Sequence, residues 1–193
     1  MGSGTLTSPL LFMNGNAINN LIINRITSGQ VKLASTLLLS GSLSLMEGNL
    51  SIENGGALTA SIGSTVHIEK GSLSINSGTF IGPNAYNVVY TGVSDNVSGV
   101  ELSGSGLAHV IVNYTSGTSK ITLNSNTSVS GKLSLMNGKL DLNGKNLILN
   151  GTMMQSTSAW ITGNTNSELH LNLTSVSQNT LYFDNANAAS QTL

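Results

Sequence analysis

The sequence predicts an all-β chain, a single parallel β-solenoid (β-helix) with three short strands to each coil of about 22 residues. Three observations carry this reading. Pairs of apolar residues split by one small or polar residue recur every seven or eight positions; three such steps realign the pattern; and the segment from Leu21 matches the segment from Val110 at an offset of about 90 residues.

The apolar pairs begin at Leu43, Leu50, Leu58, Val66 and Leu73, and again at Leu133, Leu140 and Leu147. That spacing leaves room for strands of about three to five residues and a tight turn, short even for β-structure. Alternation has period two, glycine and β-branched residues interrupt every stretch, and no apolar stripe of helical period persists, so helices are excluded. Three steps on, Leu43 meets Val66, Leu50 meets Leu73 and Leu58 meets Phe80. Each strand then pairs with its equivalent one coil along, inward side chains stack in columns, and about nine coils rising roughly 4.8 Å each give a rod of about 40 Å. The outward positions between the pairs are small and uncharged: Ser44, Ser51, Thr59, Ser74 and Ser134.

The longer repeat sets the organisation. Gly41, Leu43, Leu45, Met46, Gly48 and Leu50 correspond to Gly131, Leu133, Leu135, Met136, Gly138 and Leu140, and Leu181 onward echoes Leu11 onward. Residues 1–4 read as an artificial leader and not a signal peptide, since no basic segment precedes an apolar one. Residues 5–193 read as one solenoid domain, with long repeats at about 11–100 and about 101–180 and a third beginning at 181, and the chain as an excerpt of a longer protein. An antiparallel β-sandwich is the alternative, because the Asn-Gly dipeptides at Asn14, Asn54, Asn137, Asn143 and Asn150 suit hairpin turns; the same dipeptides also serve solenoid corners that need a left-handed backbone. The stretch from Ile81 to Leu102, with Pro83, breaks the short period and is expected to bulge out of the stack or to cross between the long repeats.

Composition narrows function by exclusion. Charged residues are 8% of the chain, the formal net charge is -1 and Arg25 is the only arginine, which does not suit a phosphate backbone and so predicts no nucleic-acid partner. Apolar runs are far shorter than the roughly 20 residues of a membrane helix, so no membrane insertion is expected. With no cysteine, disulfides and thiolate metal sites are ruled out.

Searching for chemistry yields little. His67, His109 and His170 form no two-histidine metal motif; His67 with Glu69, and Glu168 with His170, place a histidine and an acid on one strand face, a pattern common among solvated pairs. The acids Glu47, Glu53, Glu69, Asp95, Glu101, Asp141, Glu168 and Asp184 are spread about one to a coil, whereas a carbohydrate-cleaving β-helix needs several together; Asp141 and Glu47 are the ones placed near lysines. No nucleophile elbow, phosphate loop or acid-rich calcium repeat is present. The expectation is no enzyme, no catalytic residue, no metal and no cofactor. Tyr86, Tyr90 and Tyr114 are the candidate ligand contacts, an aromatic patch for sugar rings beside the irregular stretch; Tyr182 and Trp160 are the other large aromatics, with Trp160 expected to pack.

The run VVYTG, followed by GVELSGSGLAHVIVNYTSGTSKITLNSNTSVSGKLSLMNGKLDLNGKNLILNG, resembles the repeat regions of large bacterial cell-surface, adhesin-like β-helix proteins exported by the type IX secretion route. The resemblance implies a secreted or surface-linked stalk or adhesin segment and supplies no catalytic residue. The expected function is therefore a non-catalytic extracellular structural module, with a carbohydrate-binding or carbohydrate-cleaving β-helix as the alternative and a self-assembling or ice-binding solenoid as a further one. The expected partners are a glycan or neighbouring copies meeting through coil ends.

Overall fold

A computed structural model describes residues 2–3, 8–13, 17–26, 29–83, 85–172 and 181–184. Its ladders are parallel throughout, apart from one isolated antiparallel bridge between Glu53 and Ser77, and they wind the chain into a solenoid of about seven turns. The sandwich is thereby excluded. Helix is confined, among the described residues, to a 3₁₀ turn at Val100–Leu102.

Three faces enclose the core. The first, here called the spine, is an unbroken stack of residues 20–23 of Ala17–Ile26, 42–45 of Thr36–Glu47, Thr65–Ile68, Tyr86–Tyr90, Leu107–Asn113, 132–135 of Lys132–Asp141 and Thr152–Gln155; the long strands continue around a corner, 36–39 lying on the third face and 139–141 on the second. Following each spine strand the chain turns onto a second face, as at Gln30–Leu33, Asn49–Glu53 and Ser72–Asn76. It then crosses a third face, as at Ala57–Ala60 and Thr79–Ile81, and returns to the spine. The partners expected from spacing are the ones that pair: Leu43 with Val66, Leu50 with Leu73, Leu58 with Phe80. Four coils of 22 or 23 residues separate Leu43 from Leu133 along the spine, which is the physical content of the long repeat. Seven stacked spine strands rise roughly 30 Å, fewer coils than division of the whole length suggests, because parts of both terminal segments lie outside the described residues.

Alternation decides what the core contains. Leu43, Leu50, Leu58, Val66, Leu73, Leu133, Leu140 and Leu147 are each at most 3% exposed, and dispersion contacts within their columns fill the interior at crystal-like density. Ile23, Leu45, Ile68, Tyr90, Val112, Leu135 and Gln155 form one inward column of the spine. Outward positions are more varied than their small side chains suggest. Ser44, Thr59 and Ser74 are half-buried, but Ser51 and Ser134 are buried. At Ser51 the cause is visible: Lys32, its partner one coil away, reaches to Glu53 on Ser51's own strand in a 3.3 Å ion pair.

Corners account for the remaining sequence signals. Asn54-Gly55 and Asn143-Gly144 occupy the same corner, between the second and third faces, with φ of 52° and 75° in one and 48° and 73° in the other. Asparagine and glycine tolerate this left-handed backbone better than other residues, so here Asn-Gly marks a solenoid corner and not a hairpin. Asn14 lies outside the described residues. At the corner from the third face to the spine, glycine is chosen for closeness: a Cβ on Gly151 would meet the carbonyl of Gly131 one coil below, and backbone atoms cannot move aside. Gly151→Ala should therefore lower stability by about 1–3 kcal/mol, read as the shift in urea midpoint at unchanged slope.

The stretch from Ile81 to Leu102 departs from its expected place. Instead of bulging out or crossing, it supplies a full spine strand, Tyr86–Tyr90, paired on both sides with Thr65–Ile68 and Leu107–Asn113. What it interrupts is the other two faces. The second-face sheet ends at Ser72–Asn76 and a separate one starts at Asn96–Val97; the third-face sheet ends at Thr79–Ile81 and a separate one starts at Thr127–Val129. Ile75, an inward position by alternation, is 40% exposed because no strand follows to cover it. Of the expected third copy only residues 181–184 are described; Phe183 bridges to Ile161 on the second face.

Candidate functional site

The interior of this irregular coil holds the densest group of polar side chains in the core. Strand Tyr86–Tyr90 turns Tyr86, Val88 and Tyr90 inward by alternation, all at 0% exposure. Gly82 and Gly104 flank the Tyr86 ring so closely that a Cβ on either would strike it, and Phe80 packs edge-on at 5.6 Å. Tyr86 Oη donates to the carbonyl of Glu101 at 2.7 Å and accepts from the Gly104 amide at 3.2 Å.

Glu101 lies in the 3₁₀ turn and is fully buried. Its Oε1 accepts from Tyr90 Oη at 2.6 Å and from the Gly99 amide at 2.8 Å. Among the described residues its Oε2 is the one buried side-chain polar atom without a hydrogen-bond partner. Burial raises the carboxyl above its ordinary range, only partly offset by the Tyr90 and Gly99 hydrogen bonds. Tyr90 is in turn held protonated, by burial first and by the adjacent Glu101 second. Tyr114, 1% exposed, accepts from Asn96 Nδ2 at 3.2 Å and is pushed up to about 12, chiefly by burial. Asn96 Nδ2 also donates to the Glu69 carbonyl at 3.3 Å, tying the irregular coil to the one before it.

Tyr86, Tyr90 and Tyr114 are thus brought together, but inside the rod. Closed to solvent, they do not make the open platform expected for sugar rings; their hydroxyls carry hydrogen bonds within the core. Glu101 and Asn96 are the members of the group that spacing alone did not single out. For Glu101 one signal was available, an acid set between Val100 and Leu102 in a stretch that preserves the coil length.

On the surface, the titratable groups are dispersed. Glu47 pairs with Lys70, Asp141 with Lys120, Asp184 with Lys139, and Glu168 with His170 at 2.9 Å on an exposed strand. His67 Nε2 lies 2.6 Å from Thr91 Oγ1, and His109 Nδ1 accepts from the Lys132 amide. Among the described residues no three of His, Cys, Asp and Glu converge as a metal site would need. Trp160 is half-buried and meets Tyr182 edge-on at 5.8 Å, so the two rings form a corner, not a coplanar surface. A void of about 10 Å³ under the irregular coil is lined by Tyr90, Leu102, Val110 and other apolar side chains, at the lower edge of what one water occupies.

No family model, curated protein or solved structure matches the chain.

Proposed function

We propose that this chain is a non-catalytic structural module, a stalk segment of an extracellular surface protein that projects or presents other parts of the same polypeptide. The observation that carries this reading is the spine, an unbroken parallel stack running the described length over a filled apolar core. A parallel stack bonds every coil to the next, so load passes along the axis through backbone hydrogen bonds. The resemblance to type IX-exported surface repeats supports the extracellular placement.

An adhesive role is the second reading, favoured by the outer side of the spine. Its two outward columns run Ile22, Ser44, His67, Val89, Ile111, Ser134, Met154 and Asn20, Ser42, Thr65, Asn87, His109, Lys132, Thr152, with Lys132 the one residue there carrying a fixed charge. Such a face suits contact with a glycan or another copy. Glycan-array binding and a reducing-end assay separate the readings: silence in both is expected for the stalk, glycan binding alone moves the assignment to an adhesin, and release of reducing ends overturns the non-catalytic assignment.

A further inference from the structure

The irregular coil is laddered to the preceding stack through the spine alone, and to the following stack through the spine and the Asn96–Val97 pairing with Ile121 and Thr122. Toward the preceding coil, its second-face side offers no strand pairing; what meets Ser72–Asn76 there is the 3₁₀ turn and the chain leading to it. Asn96–Val97 pairs with Lys120–Thr122 of the following coil, and the Ser98 amide donates to the Thr122 carbonyl; from 99 to 106 a few specific bonds replace the ladder, with Tyr86 and Tyr90 reaching across the interior to Glu101 and the Gly106 amide donating to the Gly82 carbonyl at 2.7 Å. Leu102, 3% exposed, is the apolar plug of this segment.

We propose that segment 99–106 is a latch closing a built-in joint of the rod, with the Glu101 side chain as its catch, so that its release opens the second and third faces toward the preceding coil while the spine holds the two stacks together. A ladder yields only with its neighbours, whereas a segment fixed by side chains opens locally. The catch is strongest with Glu101 uncharged, since burial outweighs the hydrogen bonds that favour its charged form. The groups facing it are the hydroxyls of Tyr90 and Tyr86 from the spine and the Gly99 amide from its own turn; Tyr114 stands beyond, bonded to Asn96, with Asp95 nearby. Among the described residues no cation pairs with it. Ionisation would place in the core a charge offset by hydrogen bonds on Oε1 alone, with Oε2 unpartnered.

The sign follows from linkage. The closed latch holds the Glu101 proton more tightly than the open one, so closure is strongest below the ordinary carboxyl pKa and weakens as pH rises from there toward the raised pKa of the closed state. Within that window the opening equilibrium rises by up to about tenfold per pH unit.

Amide hydrogen exchange on the whole chain, expressed as protection of 99–106 relative to spine strand Leu107–Asn113, reads this directly, because intrinsic exchange cancels in the ratio. In the native chain the ratio should fall with pH above the ordinary carboxyl range; in Glu101→Gln, which keeps an acceptor for Tyr90 and cannot ionise, it should stay level. A second measurement uses the absence of cysteine: Leu102→Cys should label with a maleimide faster than Leu133→Cys, by a margin that widens with pH. A level ratio in the native chain, an equal fall in Glu101→Gln, or loss of protection in both segments together would overturn the proposal, as would equal labelling of the two thiols at every pH.

Discussion

Leu135→Asp is expected to abolish cooperative folding near neutral pH or to lower the melting temperature by roughly 10–20 °C, corresponding to a loss of about 5 kcal/mol or more in a chain of this size. Leu135 is 1% exposed and stacks between Val112 and Gln155 in the inner column of the spine. Truncating a buried leucine costs about 2–5 kcal/mol in lost contacts and cavity. The carboxylate adds a desolvation penalty that its column neighbours do not relieve, since Val112 is apolar and the Gln155 amide nitrogen already donates to the carbonyls of Ala159 and Tyr182. Such a carboxyl titrates upward in the folded state, so the deficit should shrink as pH falls below the ordinary carboxyl range. Met136 is the control. One position along and 39% exposed, it should accept Asp within about 0.5 kcal/mol. Denaturant melts of the two variants test the alternation itself; similar losses at both positions would contradict the inward assignment of Leu135.

The fold was legible because a solenoid writes its geometry into spacing. Leu43, Val66, Val88 and Val110 recur at 22 or 23 residues because each occupies the same column, and a coil cannot lose a residue without turning its inward side chains outward. The corner glycines repeated the long period, Gly41 with Gly131 and Gly48 with Gly138, whereas the Asn-Gly pairs suited a hairpin as well as a corner. What escaped was the content of the irregular coil. Its spacing of 22 along the spine from Val66 to Val88 to Val110 is intact, yet with tyrosines where leucines stand elsewhere, and with Pro83 and several glycines, it reads as surface. Alternation also assigns a lone glutamate to solvent. Glu101 is inside because a 3₁₀ turn replaces the strand there, and no period-two argument describes a turn. The tyrosines were recognised as a group for the wrong reason: proximity in sequence reflected a shared hydrogen-bonding task in the core. Burial of Ser51 escaped differently, since the side chain that covers it, Lys32, belongs to the neighbouring coil.

Tyr86→Ala separates a core tyrosine from a ligand-binding one. The side chain is wholly enclosed between Gly82, Gly104 and Phe80, and removing a buried aromatic ring costs about 3–5 kcal/mol. The same truncation strands the Glu101 carbonyl and the Gly104 amide, each of which loses its bond to Tyr86 Oη, adding a further cost of about 1–3 kcal/mol where the group stays buried. The melting temperature should accordingly fall by roughly 10–20 °C. Tyr86→Phe keeps the ring and strands only the two polar groups, so its loss should be about 1–3 kcal/mol. The ranking of alanine well below phenylalanine, and phenylalanine below the native chain, is the signature of a ring that packs and a hydroxyl that braces the 3₁₀ turn. A tyrosine serving as a sugar platform would give the opposite pattern, with stability nearly unchanged in both variants and glycan binding lost in the alanine variant alone. Because Tyr86 holds the backbone of Glu101 while Tyr90 holds its side chain, Tyr86→Phe should also expose 99–106 to exchange at every pH, whereas Glu101→Gln alters the response only where the native carboxyl ionises.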